Sequence, residues 1–173
     1  NFGDPSKSLL SDATDKQVIS GILYDSEDRV VAQTVLTHAD PLAQATDKQV
    51  ISGILYDSED RVSGQTVLTH ADPLAQATDK QVISGITYDS EDRVSGQVVT
   101  NHADPLGEAT DKQEITGITY DSEDRVLSQT VWNHADPDGA VTDKQVISGI
   151  TYDSDDRVSG QIVLNFADPL GAA

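Results

Sequence analysis

Cysteine is absent from this 173-residue chain, which excludes disulfides and thiolate metal sites. Methionine is absent too, so the sequence lacks an initiator residue and reads as a fragment or a processed product. Aromatic residues are scarce at 5%, with a single Trp (Trp132) and two Phe (Phe2, Phe166), and hydrophobic residues reach only 36%. So thin an apolar supply implies reliance on backbone pairing and β-branched side chains rather than a thick core. No apolar run attains the ~18 residues of a membrane helix and no signal peptide remains, so membrane insertion is not expected. Basic residues are also few, 11 Lys and Arg against 30 acids, for a net charge of −19. That excludes a nucleic-acid partner, which needs Lys and Arg to neutralise phosphates, and disfavours anionic membrane surfaces. An acidic, cysteine-free, repetitive chain fits an extracellular or cell-surface protein, although acidity also serves plain solubility.

What the chain has in abundance is itself. Tyr24, Tyr56, Tyr88, Tyr120 and Tyr152 recur at a constant spacing of 32. Each sits in the same phrase, TDKQVISGI(L/T)YDSEDRV, followed by QTV or a close variant and a (H/F)ADP turn. A strict period of this length marks a repeat architecture, in which one supersecondary unit stacks on its neighbours. The chain divides into an N-terminal partial repeat (1–14), five tandem repeats (15–164) and a C-terminal partial repeat turn (165–173).

Within the first copy, Lys16 to Tyr24 and Arg29 to Thr37 are rich in Val, Ile, Thr and Tyr and lack a helical apolar stripe, so both read as strands. Asp25-Ser26-Glu27-Asp28 between them is a turn signal, with Asp28 placed for the left-handed position that closes a three-residue hairpin loop. Ile19, Ile22, Tyr24, Val30 and Val35 are the same residue in all five copies. Their mixed parity requires bulges near Ser20-Gly21 and near Ala32-Gln33 to bring them onto one buried face. Val18 becomes Glu114 in the fourth copy, which predicts that this position faces water. Asp40-Pro41 marks a second turn, with Pro at its second position. The expected fold is all-β: a tandem array of five 32-residue β-hairpin repeats forming a continuous sheet or a solenoid-like rod.

Each repeat places three acids on its first turn: Asp25, Glu27 and Asp28; Asp57, Glu59 and Asp60; Asp89, Glu91 and Asp92; Asp121, Glu123 and Asp124; Asp153, Asp155 and Asp156. Stacked at the ~4.8 Å of single coils, each equivalent pair would cost ~0.9 kcal/mol even in water. Two strands per copy relieve this by doubling the spacing, and a bound cation would also relieve it. Calcium is the candidate, because carboxylates and carbonyls are its ligands; a simply solvated turn is the alternative, since DSED lacks the alternating acids of known calcium loops. His38, His70, His102 and His134 form a second ladder whose fifth place is Phe166. A ligand or catalytic group seldom has Phe as its equivalent, so a half-buried structural row is expected. No catalytic residues are expected.

YDSEDRV followed by ADPLG and then ITYD resembles the YD-repeat (Rhs) family. The matching positions are Tyr88, Asp89, Arg93 and Val94, then Asp104, Pro105, Leu106 and Gly107, then Tyr120 and Asp121. The family's glycine is Asp here (Asp28, Asp60, Asp92, Asp124, Asp156), and the period is longer than the family's usual one. The resemblance implies hairpins in a long spiralling β-sheet and a secreted or surface location.

The ends suggest self-association. Asn1, Phe2, Asp4 and Pro5 match Asn165, Phe166, Asp168 and Pro169, so the chain begins and stops at one phase of the repeat. The leading expectation is a structural protein that stacks head-to-tail with itself into a fibre or surface layer, residues 1–14 meeting the final repeat of a neighbour. Two other readings stand beside it. One is a closed five-fold propeller or barrel that binds surface glycans; the other is a spacer within a large adhesin.

Overall fold

The computed structural model describes residues 14–167 and contains ten strands among them and no helix. They are β1 (Lys16–Tyr24), β2 (Val30–His38), β3 (Asp47–Tyr56), β4 (Val62–His70), β5 (Asp79–Tyr88), β6 (Val94–His102), β7 (Asp111–Tyr120), β8 (Val126–His134), β9 (Asp143–Tyr152) and β10 (Val158–Phe166). All lie in one antiparallel sheet in sequence order, and each strand touches only its neighbours in that order. The sheet is therefore open. Among the described residues β1 does not meet β10, and the strands that the propeller or barrel reading would join lie at opposite edges of the sheet.

The first turn forms as the sequence indicates. Asp25 N–H donates to Arg29 O (2.9 Å), and Asp28 closes the loop at φ 60°. Asp60, Asp92, Asp124 and Asp156 share that left-handed conformation, which Asp tolerates better than most side chains. Asp25 Oδ1 also accepts from the N–H groups of Glu27 and Arg29, satisfying donors that the loop would otherwise leave to water. In the second connection Asp40 O accepts from Ala43 N–H (3.0 Å), which places Pro41 second in a turn, as its fixed φ favours.

Both bulges exist. Ser20 pairs with Thr34 and Leu23 with Ala32, so β1 carries one extra residue there, with Gly21 at φ +59°. Tyr24 then pairs with Val30, which makes Val31 the extra residue of β2, one position before the Ala32-Gln33 expected from sequence. Glycine at the Ala32 position of later repeats has a different cause. A Cβ on Gly64 would lie 3.0 Å from Ile83 O, and one on Gly96 would lie 2.9 Å from Ile115 O. These glycines lie close against the next hairpin's backbone, at a position that Ala32 and Ser128 fill in their own repeats.

The paired bulges place Ile19, Ile22, Tyr24, Val30 and Val35 on one face, while Val18, Leu23, Thr34, Leu36 and His38 occupy the other. No second layer covers either face among the described residues, so the expected buried face is only half-buried. Its buried hydrophobic side chains are Ile54 and Ile150, at 8% and 9% exposure, whereas Ile22 and Tyr24 on the outer hairpin are exposed. Glu114 also departs from expectation: it is half-buried on the opposite face, directly across from Trp132 and Val98. Cohesion comes from ladder hydrogen bonds and cross-strand side-chain pairs, each pair contributing roughly 0.2–1 kcal/mol.

Candidate functional site

At the turn end of the sheet, the repeated acids gather around one cation per copy. Arg29 Nε donates to Asp25 Oδ2 (2.9 Å), its Nη2 pairs with Glu27, and its Nη1 reaches Asp60 Oδ1 in the next repeat (2.7 Å). Arg61, Arg93 and Arg125 repeat this pattern, holding Asp57 and Glu59 with Asp92, Asp89 and Glu91 with Asp124, and Asp121 and Glu123 with Asp156. In the last copy Arg157 holds Asp153 and Asp155 of its own turn. Asp28, at the opposite end, engages no cation among the described residues. Fourteen of the fifteen turn acids thus fall into three roles, turn cap, local partner and bridge to the preceding hairpin, and Asp28 stands at the bridge position of the first copy.

The same arginines stack on the tyrosine ladder. Arg29 Cζ lies 4.7 Å from the centroid of the Tyr56 ring, and Arg61, Arg93 and Arg125 sit equivalently over Tyr88, Tyr120 and Tyr152. Tyr56 Oη in turn donates to Val30 O (2.7 Å), with matching bonds from Tyr88, Tyr120 and Tyr152. Each junction therefore carries a guanidinium sandwiched by carboxylates over a ring whose hydroxyl hooks the previous strand. Sequence reasoning found the acids, the arginine and the tyrosine but not their union. The partners lie in adjacent copies, and no spacing within one copy reveals that.

The electrostatics follow from these contacts. Backbone N–H donation from Arg29 is the main force holding the Asp25 carboxyl below its ordinary pKa, and burial partly opposes it. Asp57 and Asp153 are lowered in the same way. Arg29 and Arg61 are raised, first by the hydrogen bonds that they donate to Asp60 and Asp92 of the following repeat. Tyr88 and Tyr120 are raised chiefly by burial. Arginine supplies a positive partner to the stacked acids, and among the described residues no group of three or more His, Cys, Asp or Glu side chains is placed to hold a metal ion.

At the other end, the histidines staple the second connection. The Nδ1–H of His38, His70, His102 and His134 donates to the carbonyl five residues on, at 2.9 to 3.1 Å. Lys16 Nζ adds a bond to Pro41 O (2.9 Å), drawing the loop over the Leu36 face. Between successive loops lie shallow clefts, one of 520 Å³ lined by Leu36, Lys48, Pro73 and Leu74, another of 410 Å³ lined by Leu68, Lys80, Pro105 and Leu106. The fourth repeat is the exception on this face. Glu114 Oε1 lies 3.0 Å from Lys112 Nζ and 3.3 Å from the buried His134 Nε2, and Lys144 Nζ sits 4.4 Å from the Trp132 ring centroid.

Of the residues expected to mediate assembly, Asn165 and Phe166 end β10. Asn1, Phe2, Asp4, Pro5, Asp168 and Pro169 lie outside the described residues. No protein-family model matches the chain, and no curated protein matches it at a significant level.

Proposed function

We propose that this chain is a structural, extracellular repeat protein that joins copies of itself end to end, giving a fibre or surface layer. The observation that carries the reading is the open sheet itself, built by adding one identical hairpin after another along a single direction. The constellations that recur with that hairpin hold the array together: arginine on the next turn's acid, tyrosine on the previous strand, histidine on the loop that leads into the next hairpin. Unpaired sheet edges are natural sites for strand addition. The surface location is supported by composition and by the resemblance to YD-repeat proteins.

The reading is tested by negative-stain imaging and sedimentation of the purified chain over a range of concentrations. Ten strands at ~4.8 Å give an expected axial repeat of about 48 Å per chain. Because the −19 charge opposes association, assembly is expected to strengthen with salt or with calcium. Discrete monomers at every concentration, with and without calcium, would contradict it and leave the spacer reading in its place.

A further inference from the structure

We infer that the outer edge of β10, which has no partner strand among the described residues, receives β1 of a second copy in the register by which each hairpin receives the next. This rests on the end-to-end assembly proposed above and specifies its interface. Within the chain, β2 meets β3 through Gln33 opposite Ile51, Thr34 opposite Val50, Val35 opposite Gln49, Leu36 opposite Lys48 and Thr37 opposite Asp47. The junctions β4–β5, β6–β7 and β8–β9 repeat that alignment without a shift. Transferred to the edges, it sets Gln161 opposite Ile19, Ile162 opposite Val18, Val163 opposite Gln17, Leu164 opposite Lys16 and Asn165 opposite Asp15 of the second copy.

The side chains left at the two edges are the two halves of one internal junction. Arg93 is 23% exposed, held by Asp124 and resting on Tyr120, whereas Arg157 is 71% exposed and its Nη1 meets no carboxylate among the described residues. Its missing counterparts stand on the opposite edge. Asp28 already has the left-handed turn geometry of Asp60, and Tyr24 is 59% exposed with no hydroxyl partner among the described residues. A third pair agrees. Asn101 Nδ2 donates to Asp111 Oδ1 (2.6 Å) and Asn133 to Asp143, while among the described residues Asn165 uses only its Oδ1, toward Gln145, and Asp15 is exposed. In the joined pair Arg157 Nη1 donates to Asp28, its guanidinium covers Tyr24, Tyr24 Oη donates to Val158 O, and Asn165 Nδ2 donates to Asp15. One chain cannot satisfy these pairs internally, because eight strands separate its two edge strands.

The absence of native cysteine makes the register directly testable. A chain carrying Val163→Cys and Gln17→Cys is expected to give a ladder of interchain disulfides on mild oxidation. The slipped pair Val163→Cys with Ile19→Cys, two residues out of register, is expected to cross-link far less. Independently, Asp28→Asn with Tyr24→Phe removes only groups that are unengaged within the described monomer. It should leave the melting of the dilute chain unchanged and weaken association ~10-fold. Equal cross-linking of the slipped pair, or assembly undiminished by Asp28→Asn with Tyr24→Phe, would overturn this interface while leaving end-to-end assembly standing. A wild-type chain that never associates would overturn both.

Discussion

Arg93 and Arg157 occupy the same place in the repeat and each holds two acids of its own turn, yet one is a quarter exposed and the other nearly three quarters. Tyr88 and Tyr24 differ likewise: the inner ring is half-buried and hooked to Val62 O, and the outer one is open. Equivalent residues of near-identical copies thus sit in different environments, and the main difference is the neighbour. With no second layer, a hairpin here is completed only by the hairpin that follows or precedes it. Stability is accordingly a sum of junctions, as in other one-dimensional arrays.

The largest contrast should come from the tyrosines. Tyr88→Ala removes the hydroxyl hook, the stack with Arg61 and the half-buried ring, an expected loss of ~2–3 kcal/mol by denaturant titration. Tyr24→Ala in the dilute monomer is expected to cost at most about 0.5 kcal/mol. Equal losses would break the contrast between inner and outer repeats.

A second pair isolates backbone approach from side-chain chemistry. Valine at Gly96 would drive a Cβ against Ile115 O at 2.9 Å, so Gly96→Val should destabilise by ~1–3 kcal/mol. At Gly160 the added atom would meet only the Thr151 hydroxyl, at 3.1 Å, and thermal melting of the monomer should barely shift. In the assembled form Gly160→Val should become harmful, because the second copy's Ile19 carbonyl then takes the place that Ile115 O holds beside Gly96.

The smallest effects are those of pH. Asp25, Asp57 and Asp153 have folded pKa values below their unfolded ones. Their contribution is therefore complete above the unfolded value near 4 and is lost as pH falls through the folded values. Tyr88 and Tyr120 are raised, so their contribution is complete below the unfolded value near 10 and disappears as pH rises through the folded values. Melting temperature against pH should show a plateau between these limits and decline on both sides, the acid side being the more sensitive to salt.

Much of the local structure was legible in the residues. The YDSED turn announced its hairpin, Asp28 its left-handed conformation, and the invariant Ile19, Ile22, Tyr24, Val30 and Val35 demanded bulges that the structure contains. What could not be read was what those residues face. A conserved apolar set suggests a partner layer, but here it lies on a single sheet, and only Ile54 and Ile150 become buried among its hydrophobic members. Glu114 read as a position facing water, yet it is half-buried and pairs with Lys112 of its own strand, an ion pair that the other copies, with Val at this position, lack. The Gly64 and Gly96 positions hinted at a bulge that falls one residue earlier, and their closeness to a carbonyl on the next strand could not be read. In each case the missing information lay in the neighbouring repeat or in the absence of a covering layer.

Amide hydrogen exchange resolved along the chain tests the dependence on neighbours most directly. In the dilute monomer, protection should be highest in β4 to β7 and fall toward β1 and β10, whose outer backbone groups lack a partner strand among the described residues. On assembly, β1 and β10 should rise to the protection of the inner strands. Uniform protection across all ten strands of the monomer, or outer strands that stay unprotected within filaments, would contradict a fold completed by the next hairpin in line.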